Sequence, residues 1–354
     1  MSDRRVVFAI PGDLDTPSGG YAYARRMFDE LPAQGWTVSH LPLGPGFPSA
    51  SEPVVHDAYR ALATVPPGAV ALVDGLALGV LPEAGRFLGE RSPLVALVHH
   101  PLALESGVPA GRANELRQSE RAALAGAARV VATSRTTAAT LVSEYGVPAE
   151  RLAVAVPGTD PAPFAAGSDS PTAHLLSVGS LVPRKGHDVL LSALAECRHE
   201  RWQLTIVGDD TRDAATAAAL RALARAHGLE NRVTFTGAVD SSRLEALYAG
   251  ADLFVLASRH EGFGMAGTEA VARGLAVVST TAGAIPESLP ADAACLVAPD
   301  DVPALRDVLT SLLSDRQRLR ALSGHARAAS ARLARWSHTA SALGGALELA
   351  LERR

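Results

Sequence analysis

Residues 261–278, EGFGMAGTEAVARGLAVV, pass from a glycine-punctuated loop through a short helical pattern into an apolar strand. Gly262 and Gly264 allow a backbone to approach a ligand closely. The helix that follows turns its free N–H groups toward whatever sits in that loop, which suits a diphosphate, and Gly274 fits a C-terminal cap. Glu261 and Glu269 stand eight residues apart, at most about 12 Å along a helix. A glycosidase pair sits at about 5–9.5 Å across one bond, so this spacing suits two handles on one long ligand. Surface glutamates flanking a glycine turn are the alternative.

Outward from this stretch, short apolar runs alternate with helical patterns. In the second half, strands are expected at 175–178, 203–207, 232–236, 253–256 and 276–279, with helices at 189–195, 214–226, 243–249 and 267–273. The first half repeats the scheme, with apolar runs at 6–10, 36–38, 69–73, 94–98 and 129–132 and helices at 21–31 and 113–127. Continuously apolar strands separated by helices indicate parallel sheets covered on both faces. A Pro- and Gly-rich stretch at 156–163 marks the connection. The chain therefore reads as α/β, two tandem Rossmann-like doubly wound domains, with ligand expected at the C-terminal strand ends facing the crevice. The Arg- and Ala-rich tail, 302–354, reads as helix with a break near Trp336-Ser337.

The 354 residues carry 33 basic and 37 acidic side chains, a net charge of −4, and 47% are hydrophobic. That supports real cores and argues against a nucleic-acid partner, which requires a basic excess. Cys197 and Cys295 cannot build a disulfide framework or a zinc ribbon. With no signal-peptide core or spanning run, the expected location is the cytoplasm. The stretch 111–127 carries Arg112, Arg117 and Arg121, diluted by Glu115 and Glu120. It reads mainly as a solvated face, and weak peripheral membrane contact is the lesser alternative.

Of the 33 basic residues, 32 are arginine and one, Lys185, is lysine. Such a bias singles out a position that needs a compact ammonium rather than a planar fork. Lys185 lies in Val178-Gly179-Ser180-Leu181-Val182-Pro183-Arg184-Lys185-Gly186, directly after a strand. Arg184 and Lys185 together are expected to make a phosphate clamp, with a pair of solvated loop charges as the alternative. This is not a Walker A loop, because Gly186 and His187 follow the lysine.

EGFGMAGTEAVARGLAVV, VGSLVPRKG (178–186) and RVTFTGAVD (232–240) together resemble the family 4 retaining glycosyltransferases of GT-B fold. The resemblance extends more weakly to Gly19-Gly20, to Val98-His99-His100 and to the Trp336 helix. It implies an acceptor-binding domain over 1–160, a nucleotide-sugar donor domain over 161–335, and a last helix, 336–354, crossing back onto the first domain. Arg184 and Lys185 would neutralise the donor diphosphate, and Glu261 would bind sugar hydroxyls with the backbone of Phe263, Gly264 and Met265. Glu269 would hold the ribose. Gly19 and Gly20 would approach phosphates or acceptor, Gly237 and Val239 would frame the base, and His99 would lie near the reacting centre.

The implied activity is metal-independent transfer of a hexose-type sugar, with retention, from a nucleotide-diphosphate donor, UDP- or GDP-linked, to an acceptor hydroxyl. The acceptor is a lipid, a polysaccharide or a small molecule. Asp13-Leu14-Asp15 and Asp209-Asp210 have forms that chelate metals elsewhere, but the cations supply the countercharge, so neither metal nor cofactor is expected. An epimerase or phosphorylase of the same fold and a non-catalytic nucleotide-sugar-binding subunit are the alternatives. Ser180, Ala266 and Ala276 stand where many members have Arg, Pro and Pro.

Overall fold

The computed structural model describes residues 4–105 and 107–352. The chain divides into two compact units, Met1–Gly158 with Ala334–Arg354, and Thr159–Leu333. In the first unit the strands are β1 Arg5–Ile10, β2 Thr37–Pro42, β3 Val70–Asp74, β4 Leu94–Val98, β5 Arg129–Ala132 and β6 Leu152–Val154. Between them run α1 Gly19–Glu30, α2 Glu52–Leu62, α3 Gly75–Leu78, α4 Ala84–Leu88, α5 Ala110–Ala125 and α6 Arg135–Tyr145. The sheet is parallel, in the order β2-β1-β3-β4-β5-β6. VALVD of β3 and LVALV of β4 are buried at every position, as central strands covered on both faces must be.

The second unit has β7 Ala173–Val178, β8 Trp202–Val207, β9 Val233–Phe235, β10 Leu253–Leu256, β11 Ala276–Thr280 and β12 Ala294–Val297. Its helices are α7 His187–Glu196, α8 Ala214–Ala226, α9 Ser241–Ala249, α10 Met265–Ala272, α11 Ile285–Ser288, α12 Val302–Ser314 and α13 Arg316–Ser330. Read from β9, the parallel order is β9-β8-β7-β10-β11-β12, the 3-2-1-4-5-6 order of dinucleotide-binding sheets. Its direction reverses between β7 and β10, and that is where such sheets take ligands at their C-terminal ends. In the first unit the reversal lies between β1 and β3.

Some local structure departs from the pattern reading. Residues 52–62, outside every expected element, form α2, with Ala58 and Leu62 on its buried face. The edge strands β6 and β12 also went unanticipated, being too short to show a periodic signal. The tail is three helices rather than one broken once. Asp315 ends the first break by accepting the Gln317 and Arg318 N–H groups, as an N-cap does. The third helix, α14 Trp336–Leu351, rejoins the first unit.

Within that unit α14 is held by specific contacts. Thr339 Oγ1 donates to the Val156 carbonyl at 2.7 Å, and the Trp336 ring meets Tyr23 edge-on with centroids 5.8 Å apart. Gly158 lies directly against the helix start, where a Cβ would come within 2.2 Å of the Trp336 nitrogen. Both partners are backbone, so neither can swing away. Gly158→Ala is therefore expected to lower unfolding free energy by at least ~2 kcal/mol, as overpacking does. Urea denaturation checks this, and a midpoint equal to wild type would contradict the contact.

Candidate active site

The geometry of the second unit converges on one loop. After β7 the chain runs through Gly179 to a 3-10 turn, Pro183–Lys185, and into α7. Gly186 joins turn to helix at φ +62°, and a Cβ there would stand 1.9 Å from the Ala257 carbonyl oxygen. Both the left-handed conformation and the space require glycine. This brings the turn against the end of β10. The Lys185 stem lies over Gly179, whose added Cβ would sit 3.0 Å from Lys185 Cδ.

Arg184 and Lys185 consequently meet Glu261. Lys185 Nζ lies 2.6 Å from Glu261 Oε1, and Arg184 Nη1 lies 3.3 Å from Oε2. Ser258 Oγ donates to Oε1 at 2.7 Å, and Arg184 Nη1 also donates to the His260 carbonyl. Glu261 is 6% exposed. Its backbone is fixed from the other side by the Ala284 N–H. Gly283, at φ +55°, has no room there for a Cβ. Burial alone would raise the Glu261 pKa, but Lys185, Arg184 and Ser258 together outweigh it and hold the carboxyl at about 2.

Glu261 lies before α10, which begins at Met265 with Gly264 as its N-cap at φ +95°. Phe263, Gly264 and Met265 thus form the entry to that helix. Glu269 sits on its second turn and makes a different set of contacts. The Tyr248 hydroxyl lies 3.3 Å from its carboxylate, and the Arg273 guanidinium donates to its carbonyl while covering the Tyr248 ring. Burial raises its pKa, with Arg273 and Tyr248 opposing. Gly237, at φ +70°, follows β9 and faces Asp210, whose Oδ1 would lie 3.6 Å from an added Cβ. Val239 packs partly buried against the core beside it. The fold therefore joins Arg184, Lys185 and Glu261 in direct contact, while Glu269 and the Gly237–Val239 loop are separate clusters of the same unit.

In the first unit Gly19 and Gly20 open α1. A Cβ on Gly20 would stand 3.5 Å from the ring of His99, which follows β4. His99 packs edge-on against Tyr23 at 5.3 Å, and its carbonyl accepts from Thr133 Oγ1. Its Nε2 lies 3.5 Å from Asp74 Oδ2, a close approach without hydrogen-bond geometry. His100 pairs instead with Glu105 at 3.4 Å. The following turn is tied by Glu120, 2% exposed, which accepts the Leu102 N–H at 3.1 Å. Burial pushes the Glu120 carboxyl up to about 8, against the pull of that N–H.

The aspartate pairs considered as chelators have protein partners. Asp13 accepts the Asp15 N–H, Asp209 binds Thr211, and Asp210 pairs with Arg221. Among the described residues no group of three or more His, Cys, Asp or Glu side chains is placed to hold a metal ion. None of the described helices is long and apolar enough to cross a membrane. Ser258, Arg259, Tyr248, Asp74 and Tyr23 were not picked out from sequence. Only Asp74 carried a signal, as the acidic residue that ends an otherwise apolar buried strand.

Two tandem parallel α/β units with charged groups at the strand ends define a GT-B architecture. Solved structures share it. Sucrose-phosphate synthase from Thermosynechococcus elongatus superposes with a TM-score of 0.81 at 21% identity, covering 99% of this chain and 100% of that one. Anabaena HepE in complex with UDP-glucose gives 0.78 at 20% identity, covering 97% and 99%. Family models described as Glycosyltransferase Family 4 and Glycosyl transferases group 1 match residues 17–163 and 172–315. The chain belongs to this glycosyltransferase family. Among curated relatives, the MMP alpha-(1->4)-mannosyltransferase of Mycolicibacterium hassiacum is 28% identical over 74% of this chain and 66% of its own length. A D-inositol 3-phosphate glycosyltransferase of Xylanimonas cellulosilytica is 33% identical over 66% of this chain and 60% of its own. The chain thus spans about half to two thirds of the curated relatives it matches.

The two buried glutamates should respond to pH in opposite directions. Folded Glu261 holds its proton less tightly than the unfolded chain, with pKa values of about 2 against 4.5. Its stabilisation is complete above about pH 4.5 and is lost as pH falls toward 2. Folded Glu120 holds its proton more tightly, about 8 against 4.5, so its contribution is complete below about pH 4.5 and is lost as pH rises through 8. Glu120→Gln should flatten the decline between about pH 5 and 8. Glu261→Gln should flatten the acid limb and cost about 3 kcal/mol near neutrality by removing the carboxylate charge that two cations share. Denaturant melts across pH check both, and parallel pH profiles for wild type and either variant would contradict that assignment.

Proposed function

We propose that the protein transfers a hexose-type sugar from a nucleotide-diphosphate donor to an acceptor hydroxyl, with retention at the anomeric carbon and without a metal ion. The observation that carries this reading is the Lys185–Glu261–Arg184 cluster, placed where the sheet order reverses and just ahead of the α10 N-terminus. A departing diphosphate builds negative charge, and preorganised cations and N–H dipoles stabilise it with little rearrangement. Lys185 and Arg184 would share their charge with the phosphates. Glu261, released from part of that pairing, would accept hydrogen bonds from sugar hydroxyls. Glu269 would accept from the ribose, and the Gly237–Val239 loop would frame the base. The first unit is assigned the acceptor, with His99 and the Gly19-Gly20 helix start nearest its chemistry.

The relatives support this class of reaction, since they include an alpha-(1->4)-mannosyltransferase, a D-inositol 3-phosphate glycosyltransferase and a mannosylfructose-phosphate synthase. HepE is described in complex with UDP-glucose, which favours a uridine donor on likeness alone; a GDP-linked donor is equally compatible with the cluster. The expected location is cytoplasmic, where sugar nucleotides are available.

The test is steady-state transfer with UDP- and GDP-sugars and a panel of acceptors, run with EDTA. Lys185→Ala should lower turnover by ~10² or more, the effect of removing one transition-state donor. Glu269→Ala should raise donor KM more than it lowers kcat, because ribose contacts bind ground state and transition state alike. Undiminished turnover of Lys185→Ala at saturating donor would sink the clamp. Conversion of a sugar nucleotide with no acceptor present would favour an epimerase, and binding without any conversion would favour a non-catalytic subunit.

A further inference from the structure

Arg259 lies two residues before Glu261. Its guanidinium makes four hydrogen bonds, three of them on the segment that carries Arg184 and Lys185. Nη1 donates to the Pro183 carbonyl at 2.6 Å. Nη1 and Nη2 form a fork on the Asp188 carboxylate at 2.9 and 2.7 Å, and Nε donates to Asp300 at 2.7 Å. The Arg259 backbone N–H adds a bond to the Arg184 carbonyl at 2.8 Å. The bonds therefore hold the cationic turn at its first residue, at its second, and at the first turn of α7 that follows it.

Two further features single out this clamp. Asp300 is one of two described non-glycine residues with positive φ, at +61°. Such a conformation costs free energy and persists where the surroundings impose it, and here its carboxylate is bonded to Arg259. Its side chain is 57% exposed and that of Asp188 is 44% exposed, so these pairs add little to global stability. Their consequence is geometric. Lysine could not replace this residue, because an ammonium has three donors and no planar fork. The Lys185 side chain is a flexible four-carbon stem, so the position of its Nζ depends on where the turn holds its backbone.

We propose that Arg259 is a positioning residue that sets the Pro183–Lys185 turn and hence the placement of Lys185 and Arg184 against Glu261. The proposal rests on the transferase reading for what the cluster does, but the positioning can be measured without donor or acceptor. Lys185 is the only lysine, so full-length protein labelled with 15N-lysine gives a single assigned backbone amide. That amide donates to the Val182 carbonyl inside the turn.

Arg259→Gln should displace this resonance and speed its hydrogen exchange at least ~10-fold, the scale of a lost charge-assisted hydrogen bond. Asp188→Asn and Asp300→Asn should displace it in the same direction by less. Arg232→Gln, which removes a guanidinium stacked on Trp202 at 3.8 Å, should lower the melting temperature and leave the resonance in place. A folded Arg259→Gln protein with an unmoved Lys185 amide would overturn the proposal. If that variant does not fold, unmoved amides in both aspartate variants would do the same. A displaced amide in Arg259→Gln, with no sugar transfer by the wild-type protein, would sink the transferase reading while leaving the positioning intact.

Discussion

Two cations, one carboxylate and one hydroxyl share a nearly dry space at the end of β7 and β10, and the features around them follow from that constraint. A charge removed from water is costly unless paired. Glu261 is buried, yet its neighbours hold it ionised well below the ordinary carboxylate range. The same pairing fixes the direction of Lys185 and Arg184 before any ligand arrives. A site that must meet a developing diphosphate charge needs that preorganisation. Removing a partner should therefore affect stability and chemistry together.

The backbone around the cluster shows how such an arrangement can be encoded. Gly186 and Gly283 accept left-handed conformations in places where a Cβ would collide with backbone oxygen. A third glycine, Gly208, lets the end of β8 pass against Gly179, where a Cβ would stand 2.0 Å from the carbonyl oxygen. These close approaches draw together the segments that follow β7, β8, β10 and β11. The sheet order then decides which ends they are, because the reversal between β7 and β10 leaves an opening that uniform winding would fill. Arg259 acts from outside that opening, linking the turn to α7 and to Asp300, two residues before α12.

Much of this was legible before the coordinates. The continuous apolar runs specified parallel buried strands, and one lysine among 33 basic residues singled out the cation that meets Glu261. The glycines after Glu261 announced a loop entering a helix. The partners of those residues were hidden, since Lys185 and Glu261 are 76 positions apart and nothing local states that they touch. Arg259 was invisible for the same reason, one arginine among 32 until its guanidinium is seen between Pro183 and Asp188. Short edge strands such as β6 offered no period to detect. The tail's first break lay in a single aspartate, Asp315, whose capping role depends on the turn it ends.

The central claim is that this cluster is the seat of a diphosphate held by side-chain cations, and calorimetric titration of UDP, GDP and their nucleosides in EDTA tests it most directly. The account predicts that one diphosphate binds without metal, at least ~10-fold more tightly than its nucleoside, as expected for a charge-assisted contact of about 1.4 kcal/mol or more. It also predicts that Lys185→Ala removes most of that difference. Diphosphate binding no tighter than the nucleoside, or a preference undiminished in Lys185→Ala, would contradict it.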